Sequence, residues 1–160
     1  MSYIVGVDPG LKGAIAVLTL RGELLSIDDM PVAGKNVSCP IIADIFQTIW
    51  RDAIIRDGGA PICVIEDVHS MPKQGVASSF NFGRSKGVIE GCAAASEFRV
   101  EYVSPAKWKR DMKLTKDKGA ARALAMDRWP QSREYFKRVK DDGRAEAALI
   151  ALWQVQHGQA

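Results

Sequence analysis

Ile4-Val5-Gly6-Val7-Asp8-Pro9-Gly10-Leu11-Lys12-Gly13-Ala14-Ile15-Ala16-Val17-Leu18 is the stretch from which the rest of the chain is read. Ile4 to Val7 has the composition of a short apolar strand, and Asp8-Pro9-Gly10 ends it in a strong turn signal. A second apolar run, Gly13 to Leu20, follows at once, so the Asp8 carboxylate stands at the tip of a buried strand. A charge there is costly unless something pairs with it. Two readings are open at this point: Asp8 helps to make the turn, or it binds a divalent cation.

Working outward, Arg21-Gly22 makes a tight turn into Glu23–Asp29, which predicts an antiparallel meander of three strands. Pro31 to Pro40 reads as loop. Ser38 is placed as an N-cap and Pro40 in the first turn of a helix running to about Arg56. Pro61 to Glu66 is a continuous apolar run, as expected of a central strand covered on both faces, with Glu66 and Asp67 at its C-terminal end. Val68 to Ser79 is polar and reads as an exposed loop. A long helix is expected over Phe80–Phe98, with Gly83, Gly87 and Gly91 on one face. Their alignment implies close passage of another backbone, either the sheet or a second subunit. Val100–Val103 is a further strand, and Ser104-Pro105 opens a short helix. Thr115 is expected to cap a helix over Lys116–Trp129, which Pro130 stops. Gln131–Lys140 is polar and basic, and the last helix covers about Gly143–Gln156.

At 160 residues the chain is read as one domain with room for a substantial core. No apolar run approaches the roughly 20 residues of a membrane span, and no basic-then-apolar leader opens the sequence. Cys39, Cys63 and Cys92 fit neither a disulfide framework nor a zinc site, so reduced thiols and a cytoplasmic setting are expected. From Glu101 to Arg144 there are 13 Lys and Arg against 7 Asp and Glu, whereas the remainder holds 9 and 12. That asymmetry predicts a positive surface suited to a phosphate backbone, with a merely solvated helical face as its alternative.

Four acids share a possible task. Asp8 and Glu66 end predicted strands, while Asp142 and Glu146 sit four residues apart on one helical face. Asp142 could be no more than a helix-dipole partner. Glu146, flanked by alanines in an apolar helix, has less reason to be there. Carboxylates from separate segments, with only two histidines in the chain, are what an oxygen-ligated Mg²⁺ or Mn²⁺ site requires.

Gly6-Val-Asp8-Pro-Gly-Leu, Val64-Ile-Glu66-Asp-Val and Asp142-Gly-Arg-Ala-Glu146-Ala-Ala-Leu, in this order, resemble the RuvC family of Holliday junction resolvases. Phe82-Gly-Arg-Ser-Lys-Gly-Val-Ile-Glu-Gly and Val103-Ser-Pro-Ala-Lys-Trp-Lys fit the same family, particularly its phage-like members, for which the setting would be a bacterial host cell. The resemblance covers nearly the whole chain. It implies an α/β fold of ribonuclease H type: a mixed five-stranded sheet, three antiparallel strands then parallel ones, flanked by helices. It also implies a homodimer and Mg²⁺-dependent paired nicking of a four-way DNA junction by a two-metal mechanism, Mn²⁺ substituting. Asp8, Glu66, Asp142 and Glu146 match the family's catalytic, metal-binding acids. The last pair departs from bacterial cellular members, being separated by three residues rather than two and ending in Glu rather than Asp; Asp141 is therefore an alternative to Asp142. Lys118 matches a lysine near the scissile phosphate. His69 stands where family members carry a base wedge, with Phe80 and Phe82, otherwise core residues, as alternatives. Lys73, Arg84, Lys107, Lys109, Arg110, Lys113 and Lys116 complete the DNA-contact set. Two other classes compete: a junction-binding module without catalysis, and an actin-like phosphotransferase, which would need a second such domain.

Overall fold

The structure is a computed structural model that describes residues 3–69, 73 and 75–158. Strands β1 (Tyr3–Asp8), β2 (Ala14–Thr19) and β3 (Leu24–Asp29) form the expected meander. Gly22, at φ +80°, makes the second of its turns, with its N–H bonded to the Thr19 carbonyl. The Pro31–Pro40 stretch is not plain loop: β4 (Val32–Ala33) and β5 (Asn36–Val37) pair across Gly34 as a small hairpin. Two-residue strands carry no periodicity, so the sequence shows only their turn residues.

Helix α1 (Cys39–Asp57) starts after Ser38 as expected, although the Ser38 side chain makes no cap hydrogen bond. Strand β6 (Ile62–Glu66), helix α2 (Val76–Ala95), strand β7 (Arg99–Val103) and helix α3 (Pro105–Asp111) follow. Helix α2 begins four residues before the expected Phe80, inside the presumed loop, and stops before Phe98. Ser104 caps α3, its hydroxyl accepting from the Lys107 N–H. Helix α4 covers only Ala120–Arg128. Thr115 does not cap it: its hydroxyl accepts from the Asp117 N–H in a local turn, and Gly119 at φ +85° opens the helix instead. Lys116 and Lys118 therefore lie in loop. Pro130–Phe136 and Val139–Asp141 are 3₁₀ turns leading into α5 (Asp142–His157).

The sheet order is β3-β2-β1-β6-β7. Strand β2 is antiparallel to β1 and to β3, while β1, β6 and β7 run parallel, which is the expected mixed α/β sheet. Helices cover both faces, which explains why β1, β2 and β6 are apolar without interruption. Val5, Val7, Ile15, Val17, Cys63 and Ile65 belong to one core with Ile42 and Phe46 of α1 and Ile89 of α2. Ile4, Ala14, Ala16, Leu18, Ile62 and Val64 belong to the other, with α5 and Trp108.

Small residues bring α5 close to β1. A Cβ on Gly6 would stand 2.1 Å from the Ala147 carbonyl oxygen, and one on Gly143 would stand 2.2 Å from that of Lys12. Both positions are glycine because backbone fills the space. On α2 the opposite holds. Nothing lies within 4 Å of where a Cβ would be at Gly83, Gly87 or Gly91, so the sheet is not the backbone that passes there. Among the described residues no helix is long and apolar enough to cross a membrane.

Candidate active site

The parity of the strands decides where the acids go. Ile4 and Gly6 face α5, so Asp8, two residues on, faces the same way; Ile62 and Val64 do the same for Glu66. Val7 is paired with Ile65, so Asp8 and Glu66 stand level on adjacent strands, one position further along. Helix α5 runs over this edge with its N-terminus at the Asp8–Gly13 turn, held there by the Gly143 contact. Arg144 reinforces the placement with a two-pronged pair to Asp29 at 2.6 and 2.8 Å. Glu146 thereby comes within electrostatic reach of both strand acids.

Burial pushes the Asp8 carboxyl up to about 6; the Glu146 charge adds to this, while the Gly10 N–H, donating at 3.1 Å, opposes it. Burial likewise raises Glu66 to about 7, with Asp8 and Glu146 adding and a Trp108 hydrogen bond opposing. Glu66 is only 5% exposed, and Trp108 Nε1 donates to its Oε1 at 2.8 Å. The ammonium of Lys109 lies 2.7 Å from Glu146 Oε1 and senses all three acids. Burial alone would lower its pKa, but the Glu146 hydrogen bond and the three negative charges raise it instead.

A cavity of about 880 Å³ is lined by Asp8, Lys109, Asp142 and Glu146, together with Arg110, Lys116, Lys118 and Lys140; the buried Glu66 is not part of its lining. Asp142 faces it while paired to Arg122 at 2.6 Å. Asp141 does not line it. That carboxylate is buried and held by the Arg138 backbone N–H and guanidinium, contacts that outweigh its burial and keep its pKa low. Of the two alternatives, Asp142 is the one that shares space with the other acids.

The remaining expected residues scatter. Lys107 turns away from the cavity, bonded to Asp111 at 3.2 Å and lying 5.4 Å over the Trp153 ring. Lys113 is exposed at φ +56°, Lys73 is exposed at φ +71°, and Arg84 is exposed on α2. His69 is exposed, with Nε2 3.4 Å from Asp67. Phe80 is no core residue: it is 70% exposed, whereas Phe82 is half-buried beside Leu11 in a smaller groove. Ser70, Met71, Pro72 and Gln74, which complete the expected loop around Lys73, lie outside the described residues.

Sequence reasoning missed Trp108 and Arg122 as partners of the acids. Trp108 lies 42 residues from Glu66 and sits in a basic run, where no local pattern marks it as the partner of an acid.

The donors are all carboxylate oxygens, which suits a hard cation such as Mg²⁺ or Mn²⁺. As they stand, however, no group of three or more His, Cys, Asp or Glu side chains among the described residues is arranged to hold a metal ion. Two cations of the chain itself, Lys109 and Arg122, neutralise Glu146 and Asp142. Metal binding would have to exchange with those two ion pairs.

No family model matches the chain, and no curated protein sequence does. Solved structures do match. The chain is similar to RuvC of Thermus thermophilus in complex with a Holliday junction substrate, with a TM-score of 0.67 and 14% identity over 100% of this chain and 98% of that one. A second Thermus thermophilus RuvC structure matches with a TM-score of 0.63 and 14% identity over 98% and 96%. The chain has the RuvC fold. At this identity the likeness concerns the backbone, and the chemistry has to be argued from this chain's own residues.

Proposed function

We propose that the chain is a metal-dependent endodeoxyribonuclease that resolves four-way DNA junctions by paired nicks, acting as a homodimer. The observation that carries this reading is the convergence of Asp8, Glu66 and Glu146 at the edge of a RuvC-like sheet, with Asp8 and Glu146 lining a cavity that also holds Arg110, Lys116, Lys118 and Lys140. The neighbour bound to a Holliday junction supports the choice of substrate.

Asp8, Glu66, Glu146 and Asp142 would hold the ions; once bound, Mg²⁺ or Mn²⁺ supplies an activated water and stabilises the leaving oxygen. The chain's own groups do the rest. Arg110, Lys116 and Lys118 hold the phosphate backbone across the cavity mouth, and Lys118 offers charge to the scissile phosphate. Lys109 keeps the crowded acids neutralised until the substrate and ions arrive. Such contacts carry no sequence information, so preference for a junction comes from its shape and from two-fold symmetry. The open glycine row of α2, continued by Phe80 and by Val76 at 88% exposure, supports self-association through that helix. His69, beside Asp67, and Phe80 are both exposed and are the proposed wedges between bases.

The test is cleavage of a synthetic four-way junction in Mg²⁺ or Mn²⁺ and its loss in EDTA. Asp8→Asn should reduce cleavage by at least a thousandfold while sparing junction binding. An Asp8→Asn variant that still nicks the junction defeats the mechanism. A second reading, a junction-binding module without catalysis, draws on the Lys109–Glu146 and Arg122–Asp142 pairs that occupy the acids. Metal-dependent nicking by the wild-type chain excludes it.

A further inference from the structure

Consecutive residues of α3 reach two different acids of the site, and one indole ring connects them. Pro105 and the Ser104 cap fix the first turn of α3, and the Trp108 N–H bonds back to the Ser104 carbonyl, which turns Trp108 towards the sheet. Its ring is fully buried. Packing alone does not explain a tryptophan, because a phenylalanine or leucine would fill core without an N–H that needs an acceptor. Here that N–H ends on Glu66 Oε1 at 2.8 Å, and no other described residue hydrogen-bonds the Glu66 side chain. An ionised carboxylate can accept about four hydrogen bonds, so a single protein donor leaves most of that capacity to solvent or to a further partner. The indole thus fixes one oxygen and leaves the other available to a further partner. Over the face of the same ring lies Lys109 Nζ, 5.1 Å from the centroid, and this ammonium is the one on Glu146.

We propose that Trp108 is a positioning residue: its edge aims Glu66 at the metal-binding position, and its face steers Lys109 onto Glu146. The assignment rests on the proposed reading of Glu66 as a metal ligand. It follows the general pattern in which a ligand's outer hydrogen bond sets its orientation, with losses of about 10–100-fold in metal affinity when that bond is removed.

Trp108→Phe keeps the aromatic face and removes only the N–H. Trp129→Phe is the matched control, since Trp129 is a buried indole of the same core whose Nε1 donates at 2.9 Å to the Gly22 carbonyl instead. Mn²⁺ binding to the full-length variants is followed by calorimetry, with thermal unfolding alongside. Trp108→Phe should weaken Mn²⁺ about tenfold or more, while Trp129→Phe should lose stability without losing affinity. Should Trp108→Phe not fold, the wild type decides by NMR: Mg²⁺ must shift the Trp108 indole N–H signal and leave those of Trp50 and Trp129 in place. Wild-type Mn²⁺ affinity in Trp108→Phe, an equal loss in Trp129→Phe, or an unmoved Trp108 signal in the presence of bound Mg²⁺ overturns the positioning role alone. A wild-type chain that binds neither ion overturns the metal reading beneath it as well.

Discussion

Helices cover both faces of the sheet, and both carry small residues in rows, but they use them in opposite ways. On the α5 face, Gly6 and Gly143 face the backbone of Ala147 and Lys12 at distances no Cβ can occupy. The small residues there close a gap, and the closure carries Glu146 to Asp8 and Glu66. On the α2 face, Gly83, Gly87 and Gly91 look onto open space. Each costs helix stability, roughly 1 kcal/mol relative to alanine, with no contact inside the chain to offset it. The same residue type therefore marks finished packing on one face and, under the proposed homodimer, an unfinished surface on the other.

The strongest way to break this contrast is Gly6→Ala. A methyl group set 2.1 Å from the Ala147 oxygen and 2.9 Å from the Ala151 Cβ must push α5 off the sheet. The expected loss is roughly 3 kcal/mol or more, read from urea unfolding. Activity should fall further than stability, because Glu146 moves with the helix. Wild-type stability in this variant would mean that α5 can slide without cost.

Closeness on the α5 face also has an electrostatic price, visible in pH dependence. Asp8 at about 6 and Glu66 at about 7 both lie above their unfolded values of 3.8 and 4.5. Between those limits the folded state binds more protons than the unfolded chain, so stability falls as pH rises from about 4 to about 7. Acids such as Asp29 and Asp141, lowered by their arginine partners, act the other way and lose their contribution only at lower pH. Metal-free protein should thus lose several degrees of melting temperature between pH 4.5 and pH 7.5, and Mg²⁺ should restore them at the upper end. A melting temperature that rises through this window would show that burial, with the neighbouring charges added, does not penalise the ionised forms of Asp8 and Glu66.

Much of this architecture was legible, and the illegible parts have physical reasons. Continuous apolar runs, ended by a turn signal or by polar residues, put Asp8 and Glu66 at strand ends, and spacing of four put Asp142 and Glu146 on one helical face. The Ser104-Pro105 start of α3 was readable because its cap is local. Thr115 misled because its hydroxyl serves the next turn rather than a helix, a choice made by Gly119 at φ +85°. The start of α2 was hidden by the polar Ser78 and Ser79 on its first turn, the former exposed and the latter half-buried. The Trp108–Glu66 bond and the Arg122–Asp142 pair span 42 and 20 residues, and no local pattern encodes a contact at that separation. The resemblance to RuvC supplied the order of the acids; the structure supplied their partners.

The smallest expected effect is the most telling for the contrast between the faces. Gly87 is exposed on α2, with helical backbone and no neighbour in the way. Gly87→Ala should therefore stabilise the isolated fold by about 0.5–1 kcal/mol through helix propensity alone. If α2 pairs with its copy across the glycine row, the added methyl groups fall where the two backbones approach, and the dimer should weaken while the monomer strengthens. Sedimentation over a range of concentrations, beside urea unfolding at the lowest concentration, separates the two. A variant both more stable and equally dimeric would leave the glycine row outside the interface, and the symmetry that the proposed paired nicking requires would have to come from another surface.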